Sequence, residues 1–141
     1  MNILVAVDGS ENALSAVRQV IAMKDWFREP LNVSLLTVQL PVVSGIVKMF
    51  INKEQLNDYY RDEGNRALAR AREMLDQAGI AYQHHIGIGD PAQTIVDYAR
   101  EKQCAQIVLG TRGMGNFAGT LLGSTASRVA QTATVPVLLV K

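Results

Sequence analysis

Two hydrophobic periods alternate along the chain. Ile3 to Val7 is an unbroken apolar run, the pattern of a strand buried on both faces. It stops at Asp8-Gly9-Ser10, where Ser10 is placed to cap a helix whose apolar positions Ala13, Leu14, Val17 and Ile21 recur at helical spacing. Pro30 closes that region, and Val33 to Leu40 predicts a second strand, ended by Pro41. No regular period runs through residues 42–57. From Leu56 the helical spacing returns through Tyr60, Ala67, Ala71, Met74 and Ala78, and Gly79 stands where a left-handed helix end belongs.

Ile80 to Ile86 predicts a third strand, made the most polar one by Gln83, His84 and His85. Asp90-Pro91 is a strong helix start, a capping carboxylate followed by proline at the first helical position, and Ile95, Val96 and Ala99 supply that helix's apolar face. Ala105 to Leu109 predicts strand four, a glycine-rich stretch follows, Ser124 to Ala133 predicts the last helix, and Val135 to Val140 the fifth strand. Strands separated by helices imply a parallel, doubly wound sheet with crossover connections. Polarity assigns the edges. Strand three is polar enough for an open edge. Strand five is apolar yet last, and an uncovered apolar edge is an aggregation hazard, so a second copy of the same strand is expected to cover it.

Composition narrows the class without naming a job. With 141 residues the chain fits one domain, and 48% hydrophobic residues suffice for a core without disulfides or a structural metal. Lys and Arg number 14 against 13 for Asp and Glu, a net charge of +1, which argues against a dedicated nucleic-acid binder. A single cysteine excludes an internal disulfide framework and suits a reducing compartment. The opening MNILVAVDGSE lacks the basic flank and longer apolar run of a signal peptide, and no run approaches the roughly 20 apolar residues of a membrane span. The expectation is one cytoplasmic domain over residues 1–141, without a nucleic-acid or membrane partner.

Candidate chemistry concentrates in glycine. Residues 110–125 read GTRGMGNFAGTLLGST and hold five of the chain's 11 glycines. In an open parallel sheet, ligands bind beyond the carboxyl ends of the strands where the strand order reverses. This segment and Val7-Asp8-Gly9-Ser10 meet there if strands one and four are neighbours. Glycines let the backbone approach a ligand closely and cradle oxyanions with N–H groups. Gly123-Ser124-Thr125 opens a helix, whose free N–H groups and dipole favour phosphate. The Ser124 and Thr125 hydroxyls add donors, and either suits a phosphate-bound metal ion. On glycine density alone, a flexible loop with a capped helix behind it is the leading reading.

Gly110-x-x-Gly113, nine further residues and then Gly123-Ser124 resembles the nucleotide-binding signature of the universal stress protein family. The opening ILVAVDGSE with Asp8, the Gly89-Asp90-Pro91 helix start and the closing VPVLLV are similar to that family as well, so the likeness covers essentially the whole chain in order. The resemblance implies an α/β fold, a five-stranded parallel sheet of order 3-2-1-4-5 with helices on both faces and ATP between strands one and four. It implies Asp8, with Gly9 and Ser10 in the same turn, near the ribose and adenine, and the Val38 backbone against the adenine. Gly110, Arg112 and Gly113 would follow the ribose and first phosphate, and Gly123, Ser124 and Thr125 would hold the outer phosphates, with Mg²⁺ sharing the charge. It further implies the ATP-binding branch of the family and a homodimer built on the last strand, Val135 to Val140.

Other patterns carry less. Gly87-x-Gly89-x-x-Ala92 fits a dinucleotide fingerprint formally, but Leu109-Gly110 stands where that fingerprint needs an acidic residue at the end of the next strand. Gly113-x-Gly115-x-x-Ala118 has no strand directly before it, and no G-x-x-x-x-G-K-[ST] exists. Arg112 is either a phosphate contact or a solvated loop residue. His84 and His85, adjacent on a strand, point to opposite faces and suit a surface better than a shared metal. Cys104 is expected to pack, Asp58, Asp62 and Glu63 to form a solvated helix face, and Ser10, without a G-x-S-x-G elbow, to cap. Met49-Phe50-Ile51 suits a lid, a partner patch or, first, packing on the sheet. No general base is named near the outer phosphates, so a regulatory or stress-protective ATP binder leads. A slow ATPase or self-phosphorylating enzyme, a dimer with a vestigial site, and a binder of AMP or a cyclic nucleotide are the alternatives.

Overall fold

A computed structural model describes residues 1–42, 49, 51–113 and 122–141. The chain runs β1 (Asn2–Ala6), α1 (Glu11–Met23), a 3₁₀ turn (Lys24–Trp26), β2 (Asn32–Gln39), α2 (Lys53–Gln77), β3 (Ala81–Ile88), α3 (Pro91–Glu101), β4 (Gln106–Gly110), α4 (Ser124–Thr132) and β5 (Val137–Val140). The strands form one sheet of order β3-β2-β1-β4-β5, with every neighbouring pair parallel. That is the expected fold class and order.

Alternation along β1 builds both cores. Ile3, Val5 and Val7 turn to the face covered by α1 and α2, where they meet Val17, Val20, Leu68 and Leu75. Leu4 and Ala6 turn to the face covered by α3 and α4, against Ile95, Val96, Ala126 and Val129. Both faces are buried, which is why β1 tolerates no polar position from Ile3 to Val7. β3 lies at one edge with most of its side chains exposed, as its polarity predicts. β5 lies at the other with all four residues half-buried.

Local chemistry sets the boundaries. Ser10 Oγ accepts the Ala13 N–H at 3.2 Å and starts α1. Gly79, at φ +66°, closes α2: its N–H donates to the Asp76 carbonyl and that of Ile80 to the Leu75 carbonyl, the paired bonds of a Schellman end. Most boundaries fall within one residue of expectation; three differ by more, the first being β3, which runs to Ile88 rather than Ile86. α2 begins at Lys53, inside the stretch that shows no period, because Asn52 and Gln55 form a reciprocal capping box. β5 begins at Val137, two residues later than expected. Pro136 has no N–H to give a ladder, although its carbonyl still accepts the Ile107 N–H at 2.9 Å. Met49 and Ile51 lie exposed rather than packed on the sheet, and Phe50 falls outside the described residues.

Two core positions are unusual. Gly64 sits mid-helix in α2, and a Cβ there would fall 2.5–2.7 Å from three side-chain atoms of Ile86 on β3. Two of those atoms branch from the Ile86 Cβ, so no single rotamer clears them. Thr37 is 1% exposed, and its hydroxyl has no hydrogen-bond partner among the described residues. The two give opposite expectations in urea denaturation. Gly64→Ala gains about 1 kcal/mol of helix propensity but overpacks the α2–β3 contact, for a net loss of roughly 1–2 kcal/mol. Thr37→Val removes an unsatisfied buried hydroxyl at nearly constant volume and raises stability by about 1 kcal/mol.

Candidate nucleotide site

β1 lies between β2 and β4, so the connection leaving β1 and the one leaving β4 diverge to opposite faces of the sheet. A crevice opens where they part. It holds a cavity of about 280 Å³ at the carboxyl ends of the strands, close to the lower end of the roughly 300–1,000 Å³ usual for small-ligand sites. The cavity has two chemically distinct parts. Ala6, Leu36, Val38, Leu40, Pro91, Ile95 and Leu109 make an apolar part, while Asp8, Thr111, Arg112, Gly113, Gly123, Ser124 and Thr125 make a polar one. Asp8 and Arg112 are the only charged side chains among the described lining residues.

Eight of the ten expected site residues therefore come together: Asp8, Val38, Gly110, Arg112, Gly113, Gly123, Ser124 and Thr125 all line the cavity. Gly9 and Ser10 do not. Gly9, at φ +85°, makes the turn out of β1 and packs on Ala67 of α2, and Ser10 is occupied as the α1 cap. Asp8 shapes that turn, its Oδ1 accepting the Ser10 N–H at 2.9 Å. Arg112 is exposed at the rim. Residues 114–121, with Gly115, Ala118 and Gly119, lie outside the described residues.

The three glycines of the spaced motif have different reasons to be glycine. A Cβ on Gly110 would come 2.8 Å from the Asn12 carbonyl oxygen, and one on Gly113 would come 2.5 Å from Asp8 Oδ2. The protein's own packing explains both. Gly123 is otherwise: its φ is −69°, and a Cβ would find its nearest neighbour, the Thr111 carbonyl oxygen, at 3.4 Å, an ordinary contact. Among the described residues neither backbone nor packing demands a glycine there, which leaves the cavity side. The Gly123 N–H is already committed to the Thr111 carbonyl at 2.6 Å. No described side chain caps α4, and its first turn, Ser124, Thr125 and Ala126, lines the cavity. Donors for an anion at this end are thus the first-turn N–H groups and two hydroxyls, aided by the helix dipole.

Pro91 and Ile95 read from sequence as ordinary helix residues, and both form cavity wall. The spacing Asp90-Pro91…Ile95 carried a helix signal only. Behind that wall, Asp90 Oδ1 accepts the Gln93 N–H at 2.9 Å while Oδ2 accepts from Arg128 Nη1 at 2.6 Å. The Arg128 guanidinium, and then the Gln93 N–H, hold the Asp90 carboxyl below the ordinary carboxylate range. The pair's contribution is present above that range and fades as pH falls through the depressed value.

The remaining candidates are structural. His84 and His85 are exposed, and His85 stacks on Tyr98 with ring centroids 5.0 Å apart. Cys104 is buried, its thiol is pushed up chiefly by burial, and Asn2 Nδ2 donates to its sulfur at 3.4 Å. Among the described residues no group of three His, Cys, Asp or Glu could hold a metal, and no helix is long and apolar enough to cross a membrane.

An open parallel sheet with an amphipathic crevice at its switch point, one wall opened by a glycine-capped helix, defines a doubly wound α/β domain with a candidate ligand site. The chain matches the universal stress protein family over residues 1–141 and belongs to it. It is 30% identical over 141 residues to universal stress protein MJ0531 of Methanocaldococcus jannaschii, covering 99% of this chain and 81% of that one. The structure of the MJ0577 protein of the same organism superposes with a TM-score of 0.85 at 28% identity, over 99% of this chain and 94% of the other. The universal stress protein from Archaeoglobus fulgidus, solved in complex with dAMP, superposes with a TM-score of 0.69 at 26% identity, over 100% and 98% of the two chains.

The Ser10 cap yields a prediction of its own. Ser10→Ala should lower stability by about 1 kcal/mol, the usual cost of losing an N-cap, with an unchanged denaturant slope.

Proposed function

We propose that this chain binds an adenine nucleotide, ATP with Mg²⁺, in the crevice between β1 and β4, and works as a dimeric regulatory or stress-protective module in the cytoplasm. The observation that carries the reading is the two-part cavity. Its apolar half between Val38 and Ile95 suits a flat base, and its polar half at Ser124 and Thr125 suits phosphate. The whole chain acts as one nucleotide-binding unit. A relative of similar fold, 26% identical, was solved with dAMP, which favours an adenine nucleotide over other amphipathic ligands.

Roles for the residues follow from their positions. Val38 and Leu40 from the end of β2 and Pro91 and Ile95 from α3 would enclose the base. Asp8 and Gly113 would meet the sugar, and Gly110 and Arg112 the first phosphate. Gly123 contributes by having no side chain, so that the phosphates approach the first turn of α4. Mg²⁺ would arrive with the phosphates and meet the Ser124 and Thr125 hydroxyls, since among the described residues no group of three His, Cys, Asp or Glu could hold it alone. The dimer would form on β5, whose half-buried residues Val137 to Val140 expose apolar surface at an open edge. Val135 precedes them on the same edge.

Slow hydrolysis is the second reading. Asp8 is the only carboxylate of the described lining, and it is engaged with the Ser10 N–H at the turn after β1. Fast turnover needs a base beside the attacking water, and none stands near Ser124 among the described lining residues.

Calorimetry and thermal shift across ATP, ADP, AMP and a cyclic nucleotide, with and without Mg²⁺, test the reading. Gly123→Val should weaken binding tenfold or more, the scale of losing hydrogen bonds to a charged group, while the nucleotide-free melting temperature stays within a few degrees. Normal affinity in that variant would show the site to be elsewhere.

A further inference from the structure

Asp90 and Arg128 are not themselves lining residues of the cavity, yet they connect its two walls. Among the described residues theirs is the only ion pair that joins two helices; the other side-chain pairs lie within one helix or at its end. Asp90 caps α3 directly before Pro91, and Arg128 lies four residues after Ser124, on the same side of α4. Pro91 belongs to the apolar half of the cavity and Ser124 to the polar half. Asp90 has little freedom, because its second oxygen is held by the Gln93 N–H. Its backbone neighbour is anchored too: the Gly89 N–H donates to the Gln39 carbonyl at 3.0 Å.

We propose that the Asp90–Arg128 pair is a clasp that sets the spacing between the two helical walls, so that one nucleotide can engage the apolar and polar halves together. This rests on the nucleotide reading above. Asp90 and Arg128 are positioning residues, acting through Pro91 and Ser124 rather than on the ligand. The side chains are 46% and 54% exposed, so the pair is solvent-screened and its effect on affinity is modest. A clasp of this strength tunes a site; it does not build one.

A rival account uses the same residues differently. Arg128 is a positive charge one turn from the first turn of α4, so it could attract phosphate through space, with Asp90 weakening that attraction. The two accounts disagree in sign at Asp90. Asp90→Asn keeps an oxygen for the Gln93 N–H and removes only the charge. A clasp predicts weaker nucleotide binding in that variant, whereas a through-space charge predicts tighter binding.

The test is competition binding of AMP and of adenosine against a fluorescent adenine nucleotide, on the full chain, well below the melting temperature. Asp90→Asn and Arg128→Ala should each weaken AMP about two- to fivefold, the range of exposed ion-pair couplings. The double variant should be no weaker than either single one. Adenosine, which engages the apolar half alone, should keep its affinity, and Arg128→Lys should recover much of the loss for AMP. Tighter AMP binding in Asp90→Asn overturns the clasp in favour of a through-space charge. Equal losses for adenosine and AMP, or affinities that stay at the wild-type value while the melting temperature falls, overturn it in favour of general stabilisation. If the wild-type chain binds no adenine nucleotide, the functional reading fails and the clasp fails with it.

Discussion

The pairing of β1 with β4 is the constraint on which the molecule depends. Ile3 to Ala6 lie against Gln106 to Leu109 on one side and against Val33 to Leu36 on the other, so β1 is the hub of the sheet. A strand in that position must be apolar on both faces, and its exit must be polar enough to turn. Val7-Asp8-Gly9-Ser10 meets both demands within four residues. Because α1 returns on one face and α3 and α4 pack on the other, the carboxyl ends of β1 and β4 are left facing a gap that no described helix fills. The site is what remains when a parallel sheet reverses its direction of winding.

The same region is tied to the far edge of the sheet by backbone bonds. The Gly123 N–H donates to the Thr111 carbonyl, and the Thr111 N–H donates to the Val140 carbonyl at 2.9 Å. Ser15 of α1 reaches that same carbonyl at 3.4 Å. The start of α4, the exit of β4 and the last residue of β5 thus form one hydrogen-bonded unit. Such a unit orients the α4 first turn without any side chain on Gly123, which frees that position to be judged by what approaches it from the cavity.

What was legible in the sequence was local. The apolar run at Ile3, the caps at Ser10 and Asp90, and the left-handed end at Gly79 each depend on residues within one turn of one another, and each stands where expected. The polar character of β3 placed it at an edge because exposure acts residue by residue. The capping box at Asn52 and Gln55 is equally local but lacks the helical signature, since the turn that it starts, Lys53-Glu54-Gln55, holds no apolar residue to mark a period. The glycine motif signalled that residues 7–10 and 110–125 meet, but individual side-chain contacts between distant segments carried no signal. Gly64 looks like a weak point in a helix until Ile86 is seen against it, and Asp90 looks like a cap and nothing more until Arg128 arrives from 38 residues away. The cavity residues divide along the same line: the glycine motif announced the polar half, while Pro91 and Ile95 became wall only through the packing of α3 on the sheet.

The charge balance of the chain takes on a specific meaning at this cavity. A dedicated polyanion site usually gathers cations, but one arginine and one aspartate leave the described lining with no net charge. Negative charge would therefore be met by dipoles: the first turn of α4, worth about half a positive charge at its end, and the hydroxyls of Ser124 and Thr125. Dipoles fall off faster with distance than charges, so they act only on groups that come close. Close approach is what an absent side chain at Gly123 permits and what any larger residue would forbid. On the reading proposed above, a site organised this way would discriminate by geometry before charge, and the spacing of its two walls, rather than the number of its cations, would govern what it holds.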